Sequence, residues 1–288
     1  MIQSLSVVVP NKNCINNCPF CVSKMHCGEY KNQMDENLPF YDLYLNDYLK
    51  RLEYARDNGV NTIMLTGNSE PQQNRKFLTI FGLMNKLMKN PFKNIEMQTT
   101  GILLDKNYLR FLRNHVGVNT ISLSISSFDE YENEFIITGK REEKIELHTL
   151  CLLIKEYDFN LRLSINLLNT FNDFTPQYLF TIAKEWMLAD QITFRVLYAD
   201  GETPQAKYVK ENKAKDSLIT DIDMYVKENG TFLEILPYGA KRYSVHNMST
   251  VIDDDCMNET PKEDIKYLIL QPDCKLYTKW NDKASLVF

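Results

Sequence analysis

The chain has 288 residues, is 44% hydrophobic and carries a net charge of −5 with a pI near 5.5. That length buries a full core, as one barrel-sized α/β domain or two smaller ones, and the acidic balance argues against an extended surface that tracks nucleic-acid phosphates. The longest apolar stretches fall short of the ~20 residues a membrane span needs, and Met1-Ile2-Gln3-Ser4 lacks the basic start of a signal peptide, so a cytoplasmic protein with no membrane partner is expected.

The first strand is expected at 5–9, and Cys14-Ile15-Asn16-Asn17-Cys18-Pro19-Phe20-Cys21 follows it directly. A loop there lies at the C-terminal end of the strand, where parallel α/β folds bind ligands. A helix is expected at 41–56, with Leu45, Tyr48, Leu49 and Leu52 on one face and Asn58-Gly59 as its stop. Strands at 61–66, 94–99, 120–126, 161–168 and 191–198 then alternate with helices at 75–88, 106–114, 142–157, 176–188 and about 210–227. Six strand–helix units predict a parallel sheet curled into a partial (β/α)6 barrel, a TIM-like α/β fold over residues 1–229. After Gly230 the pattern changes. Residues 231–236 look like a strand, and 267–270 and 275–277 flank the turn Gln271-Pro272-Asp273-Cys274, so 230–288 reads as a short hairpin extension over the barrel opening. Cys274 stands where a glycine is expected in that turn, which gives it a turn role.

Seven cysteines in a cytosolic chain do not suggest a disulfide framework, and three of them fall within eight positions. Thiolates at Cys14, Cys18 and Cys21 suit a [4Fe–4S] cluster, and three protein ligands leave one iron open to a small molecule. The alternative is a structural zinc completed by His26 or Cys27. Cys151 sits in an apolar helix and Cys256 is solitary, so both read as buried or incidental.

Strand alternation gives an independent clue, because successive side chains face opposite sides of a sheet. Ser122, Ser124 and Ser126 share one face of the fourth strand, Arg162, Ser164 and Asn166 one face of the fifth, and Thr193 and Arg195 one face of the sixth. Parallel sheets are usually apolar on both faces, so three neighbouring polar faces predict a wet, ligand-holding interior. Arg162 and Arg195 would then meet a ligand there. With Asn166 beside Arg195, a small anionic substrate is expected, unless either arginine pairs with an internal acid such as Glu96.

The cysteine loop, with Phe20 just before its third cysteine, resembles the signature of the radical S-adenosylmethionine (radical SAM) superfamily. Leu65-Thr66-Gly67-Asn68-Ser69-Glu70-Pro71 is similar to that family's Gly-Gly-Glu-Pro segment, with Asn68 and Ser69 in place of glycines. Gln98-Thr99-Thr100-Gly101 resembles its Thr-Asn-Gly turn, and Ser124-Ile125-Ser126 its Ser-Leu-Asp segment. Ile137-Thr138-Gly139 and Asn172-Asp173 look like residues of the molybdenum-cofactor GTP cyclase and peptide-modifying branch. The resemblance covers about residues 5–198 and implies a [4Fe–4S] cluster that, with one electron, cleaves S-adenosylmethionine to a 5′-deoxyadenosyl radical. It implies a flavodoxin or ferredoxin reductant. It also implies cofactor contacts from Phe20, Gly67, Asn68, Ser69, Glu70, Thr99 and Ser124, to which the polar strand face adds Arg162 and Ser164. Glu70 is expected to accept from the cofactor's ammonium and Ser124 to donate to its carboxylate. The substrate is expected to be a small anion or a nucleotide. Peptide modification is the enzymatic alternative, disfavoured by the thirteen residues before Cys14 and by the absence of a cysteine-rich tail. A non-catalytic iron–sulfur or zinc protein is the alternative of another class.

Overall fold

The computed structural model describes residues 2, 4–25, 43–140, 146–236, 239–253, 265, 267–280 and 283–288. The strands are β1 (Ser4–Val8), β2 (Thr62–Thr66), β3 (Asn94–Thr99), β4 (Thr120–Ile125), β5 (Asn160–Asn166), β6 (Gln191–Arg195), β7 (Gly230–Ile235), β8 (Lys241–Val245), β9 (Met248–Asp253), β10 (Tyr267–Leu270) and β11 (Leu276–Tyr277). The helices are α1 (Val22–Met25), α2 (Leu45–Asp57), α3 (Arg75–Leu87), α4 (Lys106–Phe111), α5 (Glu130–Thr138), α6 (Leu147–Glu156), α7 (Pro176–Thr181), α8 (Pro204–Asn212) and α9 (Asp216–Asn229). α4 and α7 continue as π-helical turns over Leu112–Val116 and Ile182–Trp186. Among the described residues no helix is long and apolar enough to cross a membrane.

The six expected strands are present and pair in parallel in sequence order, β1 to β6, as part of one open sheet. Its helix-facing side is mostly apolar: Ile63, Leu65, Met97, Ile121, Leu123, Leu161, Leu163, Ile165, Ile192 and Phe194 are fully buried, in one core with Phe77, Phe81, Leu109, Ile154 and Phe180. The opposite side carries Ser6, Met64, Glu96, Gln98, Ser122, Ser124, Arg162, Ser164 and Arg195, so the apolar and polar faces alternate as the sequence pattern requires. Apolar burial at about 25 cal/mol per Å² therefore holds the helices on the outside, while the inside is left to polar contacts.

The chain past residue 230 departs from the expected single hairpin. β10 and β11 do form the hairpin around Cys274, which adopts the left-handed φ of +62° expected of its turn position, but β10 pairs in parallel with β1. β9 pairs in parallel with β6, and β8 and β7 follow it antiparallel. The order is β11-β10-β1-β2-β3-β4-β5-β6-β9-β8-β7, so the late strands widen both edges of the barrel sheet. A glycine is required where β2 leaves the sheet: at Gly67, with φ +157°, a Cβ would lie 3.1 Å from the Val9 carbonyl oxygen at the end of β1.

Two local devices fix the ends of strands that matter below. Asn74 caps α3 by accepting from the Phe77 N–H and donates its amide to the Pro10 carbonyl, tying that helix to the exit of β1. α5, which sequence periodicity did not reveal, is capped by Asp129 accepting from the Glu132 N–H and ends at Gly139 with φ +74°.

Candidate functional site

Residues 11–21 form a loop over the C-terminal ends of β1, β2 and β3, and side-chain amides tie much of its backbone down. The Asn11 amide donates to Ser69 Oγ at 2.8 Å and to the Glu70 carbonyl at 3.2 Å. Gln73 accepts from the Ile15 N–H at 2.9 Å and donates to the Asn13 carbonyl at 3.1 Å. The Asn16 amide donates to Glu70 Oε2 at 3.3 Å and Thr100 Oγ1 at 3.0 Å. On the far side, the last turn of α5 receives the Asn17 N–H at the Ile137 carbonyl, 2.7 Å away, and the Cys18 thiol donates to the same oxygen at 3.6 Å. Cys21 immediately precedes α1, whose Lys24 and Met25 N–H groups donate to the Cys21 carbonyl.

Cys14, Cys18 and Cys21 are therefore free, half-buried thiols on one braced loop. Burial raises the Cys14 pKa above the ordinary thiol value, against lowering by the backbone N–H groups of Asn16 and Glu70. Burial pushes Cys18 up to about 12, with the charges of Cys21 and Cys14 adding to it. Mutually repelling thiolates in a desolvated loop form a donor set that a cationic centre would stabilise. Among the described residues no group of three or more His, Cys, Asp or Glu side chains closes around a single metal ion. A cubane asks for a different arrangement, each thiolate meeting its own iron at a separate corner. Asn16 Oδ1 is buried in the same loop without a hydrogen-bond partner, an acceptor left over for a bound group. The three thiols fit a [4Fe–4S] cluster. His26, Cys27 and Cys256 lie outside the described residues.

Glu70 is buried, 3% exposed, and sits at the centre of the loop's bracing. Its Oε1 accepts from Thr99 Oγ1 at 2.6 Å, and its Oε2 from the Thr100 N–H and hydroxyl, both at 3.0 Å, as well as from Asn16. Burial raises its pKa above the ordinary carboxylate value, and hydrogen bonds from Thr100 and Thr99 oppose that rise. Three of these donors converge on Oε2 and one on Oε1. Glu70 thus braces the loop and places negative charge under it. Gly67, Asn68 and Ser69 are half-buried beside it, and Thr99 is buried and spends its hydroxyl on Glu70 and Gln72. Phe20 packs against Met25, Ala206 and Val209.

The second group of predicted residues lies in the barrel. A cavity of about 660 Å³ runs from Gly67 and Val22 at the loop end to Ile2 and Asn61 at the other, between the polar strand faces. Ser124, Ser164 and Thr193 occupy one rung of β4, β5 and β6, and Ser164 Oγ accepts from Arg195 Nε at 2.5 Å. Arg162 lines the cavity but is held by Glu96 Oε2 at 2.5 Å and by Gln191 Oε1 at 2.5 and 2.9 Å. Asn166, expected to meet substrate, is buried and donates to Ser126 Oγ at 3.2 Å. Arg195 stands 4.0 Å from Asp253. Both arginines thus face the cavity, and each has an acid beside it there, Glu96 for Arg162 and Asp253 for Arg195. Removing one partner of a buried pair strands the other. Arg162→Leu is expected to cost about 3 kcal/mol by urea unfolding. The double change Arg162→Leu with Glu96→Leu should recover most of that loss.

Asn11, Asn16, Gln73 and the end of α5 were not singled out by sequence reasoning. Only Ile137-Thr138-Gly139 carried a signal, as part of a motif, and it marks the turn that receives the cysteine loop.

The family described as the Radical SAM superfamily matches residues 8–173, more than half of the chain. No curated protein matches it. Among solved structures, native anSMEcpe with bound AdoMet superposes with a TM-score of 0.59 at 13% identity, over 99% of this chain and 77% of that one. The same protein with bound AdoMet and Cp18Cys peptide gives 0.55 at 14%, over 96% and 74%. A radical SAM methyltransferase from Sphaerobacter thermophilus gives 0.50 at 16%, over 77% and 62%. At such identities these likenesses show the fold, an open TIM-like partial barrel. The family match, which spans the cysteine loop and strands β2 to β5, establishes that this chain belongs to the radical SAM superfamily, enzymes that use a [4Fe–4S] cluster and S-adenosylmethionine.

Proposed function

We propose that this chain holds a [4Fe–4S] cluster on Cys14, Cys18 and Cys21 and removes a hydrogen atom from a small polar molecule bound in the barrel cavity. The observation that carries the reading is the braced loop: three free thiols at the C-terminal ends of the strands, next to Val22 and Ser23, which line a cavity of about 660 Å³. When bound, the reduced cluster and S-adenosylmethionine supply a 5′-deoxyadenosyl radical, the chemistry common to the family.

The chain's own residues do the rest. Three thiolates leave one iron for the cofactor's amino-acid end. Asn16 Oδ1, unpartnered and buried, and the carbonyls around Ser69 are acceptors for its ammonium, while Glu70 supplies negative charge in a low-dielectric site. Ser124, the half-buried serine on the rung it shares with Ser164, is a donor for its carboxylate. Gly67 permits close approach of the backbone. Phe20 anchors the loop against α8, and the apolar outer face of the sheet keeps water from entering through the barrel wall. A one-electron donor of the flavodoxin or ferredoxin class completes the system.

Anaerobic reconstitution with iron and sulfide, followed by dithionite reduction and chromatography, tests the reading. Formation of 5′-deoxyadenosine from S-adenosylmethionine is the expected result. Stoichiometric zinc with no cluster after reconstitution would overturn it.

A further inference from the structure

Four neighbouring strands, β6, β9, β8 and β7, each bring one charged side chain to the cavity, and the signs alternate: Arg195, Asp253, Arg242 and Glu234. Arg242 and Glu234 close into an ion pair at 2.7 Å. Arg162, on the barrel floor, is closed by Glu96 and Gln191. Arg195 is engaged by Ser164. Asp253 differs from these. Its nearest described cation, Arg195, is 4.0 Å away, beyond hydrogen-bond distance, and among the described residues its carboxylate accepts no hydrogen bond. It is 20% exposed and lines the cavity on the same rung as Arg195. On the opposite wall, Glu96, 3% exposed, has one oxygen, Oε1, buried without a partner. Spare acceptor capacity in the cavity therefore lies at Asp253 and Glu96 Oε1, and spare donor capacity at Arg242 Nε.

We propose that Asp253 is the substrate-recognition residue of this cavity and that it binds the ammonium group of a small amine. The inference rests on the reading of the cavity as the substrate site of a radical enzyme, and it names the substrate class as amine-bearing rather than anionic. An ammonium is a compact three-donor cation, suited to a carboxylate that lacks hydrogen bonds, whereas an anion would meet two acids whose spare oxygens repel it. Isothermal titration of the reconstituted protein, with its cofactor site saturated by S-adenosylhomocysteine, tests this with two panels. One holds the common L-amino acids, putrescine and ethanolamine. The other holds citrate, 2-oxoglutarate and inorganic phosphate. At least one amine is expected to bind, with affinity reduced tenfold or more by Asp253→Asn and kept by Asp253→Glu, while S-adenosylhomocysteine binds all three proteins alike. Binding confined to the anions, no binding by any amine, or an unchanged amine affinity in Asp253→Asn would overturn the proposal. Failure of the wild type to bind S-adenosylhomocysteine would instead overturn the underlying reading.

Discussion

Cys18→Ala, reconstituted anaerobically beside the wild type, is expected to retain its fold, lose the cluster and form no detectable 5′-deoxyadenosine. The fold survives because the thiol makes one weak contact, to the Ile137 carbonyl at 3.6 Å, and that carbonyl keeps the stronger Asn17 N–H at 2.7 Å. The thermal midpoint should therefore move by no more than the equivalent of about 1 kcal/mol. The cluster is lost because a loop that offers two thiolates leaves two irons without protein ligands. Cys151→Ala is the matching control. That thiol is fully buried in α6 and its pKa is pushed up to about 12 by burial, so its removal deletes packing but no metal ligand. It is expected to cost about 1 kcal/mol of stability and leave iron content and 5′-deoxyadenosine formation unchanged. Equal iron loss in the two variants would show that the cysteine loop is not the cluster site.

The barrel was legible because its code is local. Each of β1 to β6 alternates an apolar face with a polar one, and short-range periodicity alone located them to within three residues at either end. The polar stripe on β4, β5 and β6 also announced the wet interior, including the pairing of Arg162 with Glu96 that stood as the alternative. What was missed has physical reasons. α5 hides its amphipathicity: Tyr131 and Phe135 are exposed while Asn133 and Glu134 are buried, the reverse of the usual helix pattern. Asn133 is buried because its amide oxygen accepts from the Ser126 and Ser127 N–H groups at the end of β4. Only the cap, Asp129 with Glu132 three residues on, advertised the helix. The β8–β9 hairpin turns on His246 and Asn247, with φ of +49° and +61°, and a histidine in that position lacks the Asn-Gly signal of such turns. The pairing of β10 with β1 joins residues more than 250 apart, which no window of sequence encodes. In the site, the cysteines were readable from spacing. Their support from Asn11, Asn16 and Gln73 was not, because an asparagine that braces a loop looks the same in sequence as one that faces water.

Glu70 separates the two jobs a buried acid can do, and its two simplest substitutions are expected to part company. Glu70→Ala withdraws the acceptor from the Thr99 hydroxyl, the Thr100 N–H and hydroxyl and the Asn16 amide. The hydroxyls can rotate toward other partners, Thr99 toward Gln72 Oε1 at 2.9 Å, but the Thr100 N–H cannot. An unsatisfied buried donor costs about 1–3 kcal/mol, and a cavity is added to it, so a loss of about 3 kcal/mol is expected. For a chain of this size that corresponds to a fall of roughly 5–10 °C in the thermal midpoint. Iron content should fall with it, since Asn16 ties the cysteine loop to this carboxylate. Glu70→Gln keeps the shape. An amide nitrogen at the Oε1 position would donate to Thr99 Oγ1, which then donates to Gln72, while the remaining oxygen still receives Thr100 and Asn16. That variant should melt within about 2 °C of wild type and hold a full cluster. It lacks the charge, and S-adenosylmethionine affinity measured by equilibrium binding should drop about tenfold, or 1.4 kcal/mol. Wild-type affinity in Glu70→Gln would confine Glu70 to bracing, and a melting loss as large as that of Glu70→Ala would show that the charge itself holds the loop.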